Sequence, residues 1–286
     1  MTDPNDDLRL DRRRFVQLTV AGVAAGLSAT AAGEPGARAD PGSAEAGESF
    51  AALRGKFLHI GIVIFPRMDQ IDFTGPFAVL ARVPNAKLHV IGVQPGPLRD
   101  HLGLSLTPDV ALADAPALDV LQVPGGPGQE AMMSHEPVLR WIRDHAAAGK
   151  PVFSVCTGAL ICGAAGILKG RRATTHWAAF DLLPYFGATA VRDRVVVDGN
   201  LVSAAGITAG IDGALRLASL LRGDAAAQRI QLDIQYAPEP PFHAGLPDTA
   251  PRDVLAAVTA KYQPLTEVRR ATARRIAAQL GVAGLP

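Results

Sequence analysis

The chain has 286 residues, room for one large domain or two small ones, and a formal charge of +1 at pH 7. Such an even balance offers no basic face, so nucleic acid is not an expected partner. There are only two cysteines, Cys156 and Cys162. On one continuous helix their Cα atoms would stand roughly 9 Å apart, too far for a disulfide, so Cys156 is expected to be a free thiol.

Residues 1–39 read as an export leader. Arg12, Arg13, Arg14, Phe15, Val16 and Gln17 resemble the bacterial twin-arginine signal. The apolar stretch that follows, 16–29, is too short and too rich in Gly and Ala for a membrane span. Ala29-Thr30-Ala31 and Ala37-Arg38-Ala39 are candidate cleavage sites. The twin-arginine route carries folded proteins. The expected location is therefore the periplasm or the exterior, with the export machinery as a partner, or a membrane-tethered form if the leader is retained. Residues 40–55, rich in Pro, Gly and Ala, read as a linker.

A main domain follows over 56–245. Residues 57–65 form a near-continuous apolar run, the signature of a strand buried on both faces. Residues 74–81 read as a helix capped by Thr74 with Pro76 in its first turn. Residues 87–93 are a second strand, 104–113 supply short strands, and 118–123 are another buried strand that runs into Pro124-Gly125-Gly126. An amphipathic helix covers 137–148, and a strand covers 152–155. A short extended piece at 172–175 precedes a helix opened by His176 and Trp177. Asp198-Gly199-Asn200 between apolar runs is the turn of a hairpin over 195–203. Helices follow at 209–221 and 225–236, and 246–286 reads as a helical C-terminal tail, with helices 252–262 and 265–280 on either side of Pro264. Strands alternating with helices predict an α/β fold, a flavodoxin-like three-layer sandwich with a mainly parallel sheet.

The segment 151–162 is the one around which the rest is arranged. A short apolar strand passes into a run of small residues, with Cys156 at the junction. That is the pattern of a nucleophile elbow, which projects a side chain from the end of a sheet. The helix N-terminus is expected to favour the thiolate, and Gly158 lets the helix approach the sheet. Sites in open α/β sheets form beyond the carboxyl ends of strands. Asp69 and Asp72, the Gly125-Gly126 turn, Cys156, and Thr174-Thr175-His176 all fall at such ends. They would supply an acid or base, N–H donors for developing negative charge, a nucleophile and a polar wall. Plainer roles stand beside these: Asp72 as a helix cap, Asp69 as a solvated loop charge, Gly125-Gly126 as a tight turn, and His176 as pocket wall rather than base. No metal is expected, since no histidines show ligand spacing.

The motifs together resemble the ThiJ/PfpI superfamily, relatives of the class I glutamine amidotransferases. The resemblance lies in Phe65-Pro66 with Gln70-Ile71-Asp72-Phe73-Thr74-Gly75-Pro76, Val123-Pro124-Gly125-Gly126 and Ser154-Val155-Cys156-Thr157-Gly158-Ala159. Arg172-Ala173-Thr174-Thr175-His176-Trp177, Ser203-Ala204-Ala205-Gly206-Ile207 and the proline-rich 236–242 complete it. It covers roughly residues 57–260 and points to the isonitrile-hydrating group within the superfamily. It implies Cys156 as nucleophile, Asp72 and Thr157 as its catalytic partners, no cofactor, a small-molecule substrate and a homodimer, while Gly125, Gly126 and His176 are placed around the substrate by the reading of the residues themselves. Other readings remain open: a peptidase, amidase or aldehyde-processing enzyme on the same scaffold, a thiol sensor, or a regulator's sensor domain. The stretch of about 45 residues after Pro241 is expected to be too short for the double helix-turn-helix module of regulators.

Overall fold

A computed structural model describes residues 49–283. The leader read at 1–39 and the linker positions 40–48 lie outside the described residues. The end of the segment read as a linker is not a spacer: Phe50 and Leu53 are buried in the core. Arg222 holds that segment by donating to the Leu53 and Lys56 carbonyls at 3.0 and 2.7 Å.

The apolar runs are strands, as their composition predicts. β1 (Leu58–Ile64), β2 (Ala86–Gly92), β5 (Val110–Ala111), β6 (Val120–Val123), β7 (Val152–Val155), β10 (Val195–Asp198) and β11 (Leu201–Ala204) form one sheet in the order β10-β11-β7-β6-β1-β2-β5. Every pairing in it is parallel except the β10–β11 hairpin. The two small ladders, β3 (Leu98–Arg99) with β4 (Ser105–Leu106) and β8 (Arg172–Ala173) with β9 (Thr189–Ala190), lie apart from it.

Helices cover both faces. α1 (Gln70–Leu80), α5 (Ala209–Arg222) and α6 (Asp224–Asp233) pack in succession on one side. On the other are α2 (Gln129–Met132), α3 (Glu136–Ala147), α4 (Gly158–Ala164), a 3-10 segment (Trp177–Phe186) and α7 (Arg252–Leu280). The alternation of β7 shows why both layers are needed. Phe153 and Val155 meet the glycines of α5, while Val152 borders α3 and α4. This is the flavodoxin-like α/β sandwich expected from the strand–helix alternation.

Three local readings change. α1 starts at Gln70, not Thr74, because Asp69 is its cap: Asp69 Oδ1 accepts from the Ile71 N–H at 2.9 Å. Pro76 is therefore interior to the helix. α7 is one helix through Pro264 rather than two. A proline removes one intrahelical bond, and the buried stripe Arg269, Thr272, Ala273, Ile276 and Ala277 holds the helix beyond it. No described helix is long and apolar enough to cross a membrane.

Candidate active site

The carboxyl ends of β1, β6, β7 and β11 come to one edge of the sheet, and the polar residues singled out in the sequence gather there. Cys156 directly follows β7 with φ +56°, the left-handed region. A non-glycine residue there carries strain of about 1–3 kcal/mol and persists only when its surroundings fix it. They do so from three sides. The Cys156 N–H lies within bonding distance of the Ala204 and Ala205 carbonyls, at 3.1 and 2.9 Å, and Thr175 Oγ1 donates to the Cys156 carbonyl at 2.8 Å. α4 then packs so tightly that a Cβ on Gly158 would lie 2.2 Å from the Val123 carbonyl oxygen.

The thiol is buried, and its acidity runs against the expectation from the helix N-terminus. Burial, and then the neighbouring Asp72 carboxyl, push the Cys156 thiol well above its usual range. The N–H groups of Ile207 and Thr157 and the charge of Arg269 pull the other way without winning. α4 is only seven residues long, and desolvation outweighs its dipole. Ile207, a β-branched residue at φ +39°, was not anticipated as a donor to the sulfur. Only its place just after β11 could have suggested it.

Asp72 is fully buried and is not the helix cap. Its Oδ2 accepts from the Gly125 N–H at 2.9 Å, its Oδ1 has no conventional partner, and the carboxyl is a hydrogen-bonding neighbour of the Cys156 thiol. Burial, helped by Asp69, pushes Asp72 up to about 8 against the pull of the Gly125 and Cys156 bonds. Pro76 adds a feature invisible in the motif. Lacking an N–H, it leaves the Asp72 carbonyl without its helical donor. The buried Gln122 side chain on β6 fills that place, Nε2 to Asp72 O at 2.8 Å. The main chain of the acid is thus tied to the central sheet.

Gly125 and Gly126 have different work from the expected oxyanion donors. The Gly125 N–H is engaged by Asp72, and the Gly126 N–H donates to Thr157 Oγ1 at 3.1 Å. Gly126 sits at φ +108°, and a Cβ there would lie 2.2 Å from Asp69 N, so only glycine fits. This turn clamps the acid and the elbow together, and the N–H groups at the sulfur are those of Thr157 and Ile207. Thr157 is buried at the head of α4. Arg269 of α7 donates to its Oγ1 at 3.4 Å and to the Gly126 carbonyl at 2.9 Å.

His176 is buried, and burial drives its imidazole down to about 4, helped by Arg269. Its Nδ1 accepts from the Ala178 N–H at 3.3 Å, and its ring packs edge-on to Tyr262. A neutral imidazole with its acceptor nitrogen occupied fits a wall better than a base. Asp69, read as a solvated charge, is instead buried, capping α1 and pairing with His101 at 3.1 Å. Arg269 and Tyr262 were missed altogether, since α7 reads as a polar tail. The one signal was spacing: Arg269 heads a buried stripe at i, i+3, i+4, i+7 and i+8. A cleft of about 420 Å³ bordered by Arg143, Arg171 and Asn200 touches none of these residues. No three His, Cys, Asp or Glu side chains are grouped as metal ligands among the described residues.

Residues 59–220 match the DJ-1/PfpI family. Over 225 residues the chain is 48% identical to isonitrile hydratase from Pseudomonas putida, covering 79% of this chain and 99% of that protein. A deglycase from Thermococcus kodakarensis is 34% identical over 119 residues, 41% of this chain and 72% of that one. The crystal structure of a ThiJ/PfpI family protein from Pseudomonas syringae superposes with a TM-score of 0.74 at 36% identity, covering 77% of this chain and 92% of that chain.

Proposed function

The chain belongs to the DJ-1/PfpI family, and on that premise we propose that it adds water to an isonitrile, giving an N-substituted formamide, with Cys156 as nucleophile and Asp72 as proton shuttle. The observation that carries this reading is the pairing of the buried Asp72 carboxyl with the Cys156 thiol. The similarity to isonitrile hydratase along nearly its whole length supports the choice of substrate class.

An isonitrile carbon must gain both a nucleophile and a proton. In the proposed path the Cys156 sulfur bonds to that carbon while Asp72 gives its proton to the same carbon and takes up the thiol's, giving a thioimidate and leaving the carboxyl protonated. Water then adds to the thioimidate carbon as Asp72 gives its proton to nitrogen and takes one from the water. As the C–S bond breaks, the remaining hydroxyl proton passes through Asp72 back to the sulfur and the formamide departs. The sum is R–NC plus water to R–NH–CHO, with no redox change and no cofactor. A carboxyl raised to about 8 suits both halves, since a shuttle works best when its pKa lies near the working pH. Thr157 and Ile207 N–H groups support negative charge on sulfur as it enters and leaves.

The test is purified protein with an alkyl isonitrile, followed by the appearance of the formamide. Formamide formation that is lost with Cys156→Ala is expected. No formamide, with turnover of an amide, peptide or aldehyde instead, would move the activity to another thiol enzyme on this scaffold. The reading extends to an exported two-fold homodimer. Ile71 and Phe77, each 37% exposed on α1, support the dimer. Light scattering at micromolar protein should give the dimer mass; monomer alone would count against it.

A further inference from the structure

Arg269 lies far along α7, in the stretch that sequence reading leaves as a tail, yet it is only 3% exposed and meets the elbow. Its Nη2 reaches the Gly126 carbonyl and Thr157 Oγ1, while its Nε has no hydrogen-bond partner. Among the described residues it forms no ion pair. A guanidinium taken out of water without a carboxylate is a costly arrangement, and such a buried unsatisfied donor calls for an explanation. The groups that act on it are the Cys156 thiol, the Tyr262 hydroxyl and the Glu130 carboxylate. Glu130 is itself occupied, accepting from Thr272 Oγ1 at 2.7 Å.

We propose that Arg269 is a positioning residue for the Cys156 nucleophile: locked onto Gly126 and Thr157, it supplies a fixed, buried positive charge that stabilises the sulfur as it gives up its proton. The clamp is short. Thr157 follows Cys156 directly, and Gly126 follows the Gly125 whose N–H holds Asp72. One guanidinium therefore fixes the residue after the nucleophile and the residue after the acid's anchor. It also occupies the Gly126 carbonyl, the acceptor that Thr157's hydroxyl reaches only at 3.4 Å. That favours a Thr157 proton directed elsewhere in the site.

The charged and titratable groups that act on the sulfur, or on the groups beside it, come from several elements. Asp72 and Asp69 lie on and before α1, His176 stands at the 3-10 segment, Tyr262 and Arg269 come from α7, and Glu130 from α2. His176 is neutral near pH 7, so it does not substitute for Arg269 as a cation. The burial of Arg269 behind the elbow makes its charge act in a low-dielectric setting, where it counts for more than at the surface.

The proposal rests on Cys156 as the nucleophile and not on the isonitrile, so the test reads the thiol directly. The rate of Cys156 alkylation by iodoacetamide is measured by peptide mass spectrometry from pH 6 to 10, for the native chain, Arg269→Gln and Arg269→Lys, with thermal melts alongside. Arg269→Gln should slow alkylation about tenfold across the range, because for a thiol titrating above it the rate follows the thiolate fraction, and a tenfold loss equals a displacement of the profile by about one pH unit. Arg269→Lys, which keeps the charge but not the fork, should stay within about threefold of native. An unchanged profile in Arg269→Gln with native melting overturns the proposal, as does a native Cys156 that never alkylates up to pH 10. If Arg269→Gln does not fold, Arg269→Lys decides: a near-native profile supports the role, and a shift of a unit or more overturns it. A shifted alkylation profile in a protein that turns over no isonitrile would sink the hydratase reading and leave Arg269's role standing.

Discussion

Five residues separate two buried thiols that share almost nothing else. Cys162 is enclosed in the middle of α4, and burial alone takes it up to about 12. Cys156 is nearly as buried, but it stands on a strained backbone at the strand end, beside an acid, two aimed N–H groups and a buried cation. Burial by itself makes a thiol inert. What separates the elbow from the helix interior is therefore not exposure. It is a set of partners that respond to the proton and the charge on sulfur.

The largest effects should come from removing those partners. Cys156→Ala is expected to reduce isonitrile hydration to background, because the covalent path loses its nucleophile. Asp72→Asn should cost a factor of about 10² or more in turnover, the usual size of a lost acid–base group. His176→Ala should cost less than Asp72→Asn. The reverse order, with His176 essential and Asp72 dispensable, would replace the acid shuttle with a Cys–His pair and call for amidase and peptidase assays. Asp72→Asn also has a stability signature. The folded carboxyl keeps its proton up to about pH 8, whereas an unfolded one releases it near 4. Between those values the folded state holds more protons, so its stability falls as pH rises; the term is fully present below pH 4 and lost by pH 8. Asparagine has no such slope. The variant's melting temperature should gain on the native one by several degrees between pH 5 and pH 8, and parallel pH dependences would show that Asp72 is not held protonated.

How much of this contrast could be read in advance depends on how local its causes are. The strand 152–155, the small-residue helix after it and the Asp-containing turn after β1 are local patterns, and the sheet follows from their alternation. The direction of the thiol's acidity was not local. The helix N-terminus argues for thiolate, and only the closed packing around Cys156 reverses it. Gly125 and Gly126 were legible as a functional turn, but not the partners of their N–H groups, which are set by where α1 and the elbow meet. Arg269 lies 113 positions beyond Cys156 in a helix studded with charges, and nothing nearby marks it as buried except an apolar stripe that begins with it.

A middle-sized effect tests whether the acid's placement depends on the sheet. Gln122→Leu keeps bulk but leaves the Asp72 carbonyl, already deprived of a helical donor by Pro76, without any. An unpaired buried carbonyl costs about 1–3 kcal/mol, and turnover should fall with it, by about tenfold, as Asp72 loses its tether. Adding Pro76→Ala restores a backbone N–H four residues beyond Asp72. The double variant should then recover at least half of the lost stability in urea melts. Recovery of neither stability nor rate would mean that the Gln122 bond does not fix the acid.

The smallest effect belongs to the other thiol, and it guards the comparison from the opposite side. Cys162 has no exposed surface and lies in the α4 core, and its acidity responds to no group of the site. Cys162→Ala should therefore change turnover by less than about twofold and lower stability by about 1 kcal/mol, the scale of removing one heavy atom from a packed interior. Iodoacetamide should label Cys162 only when the protein unfolds, so in mild urea its labelling should follow the unfolding transition, while Cys156 reacts before it. A tenfold fall in turnover on Cys162→Ala would mean that packing two turns along α4 reaches back to the strained residue at its head. The elbow would then draw its geometry from the helix interior as well as from the strand ends, and the division between the two cysteines would fail.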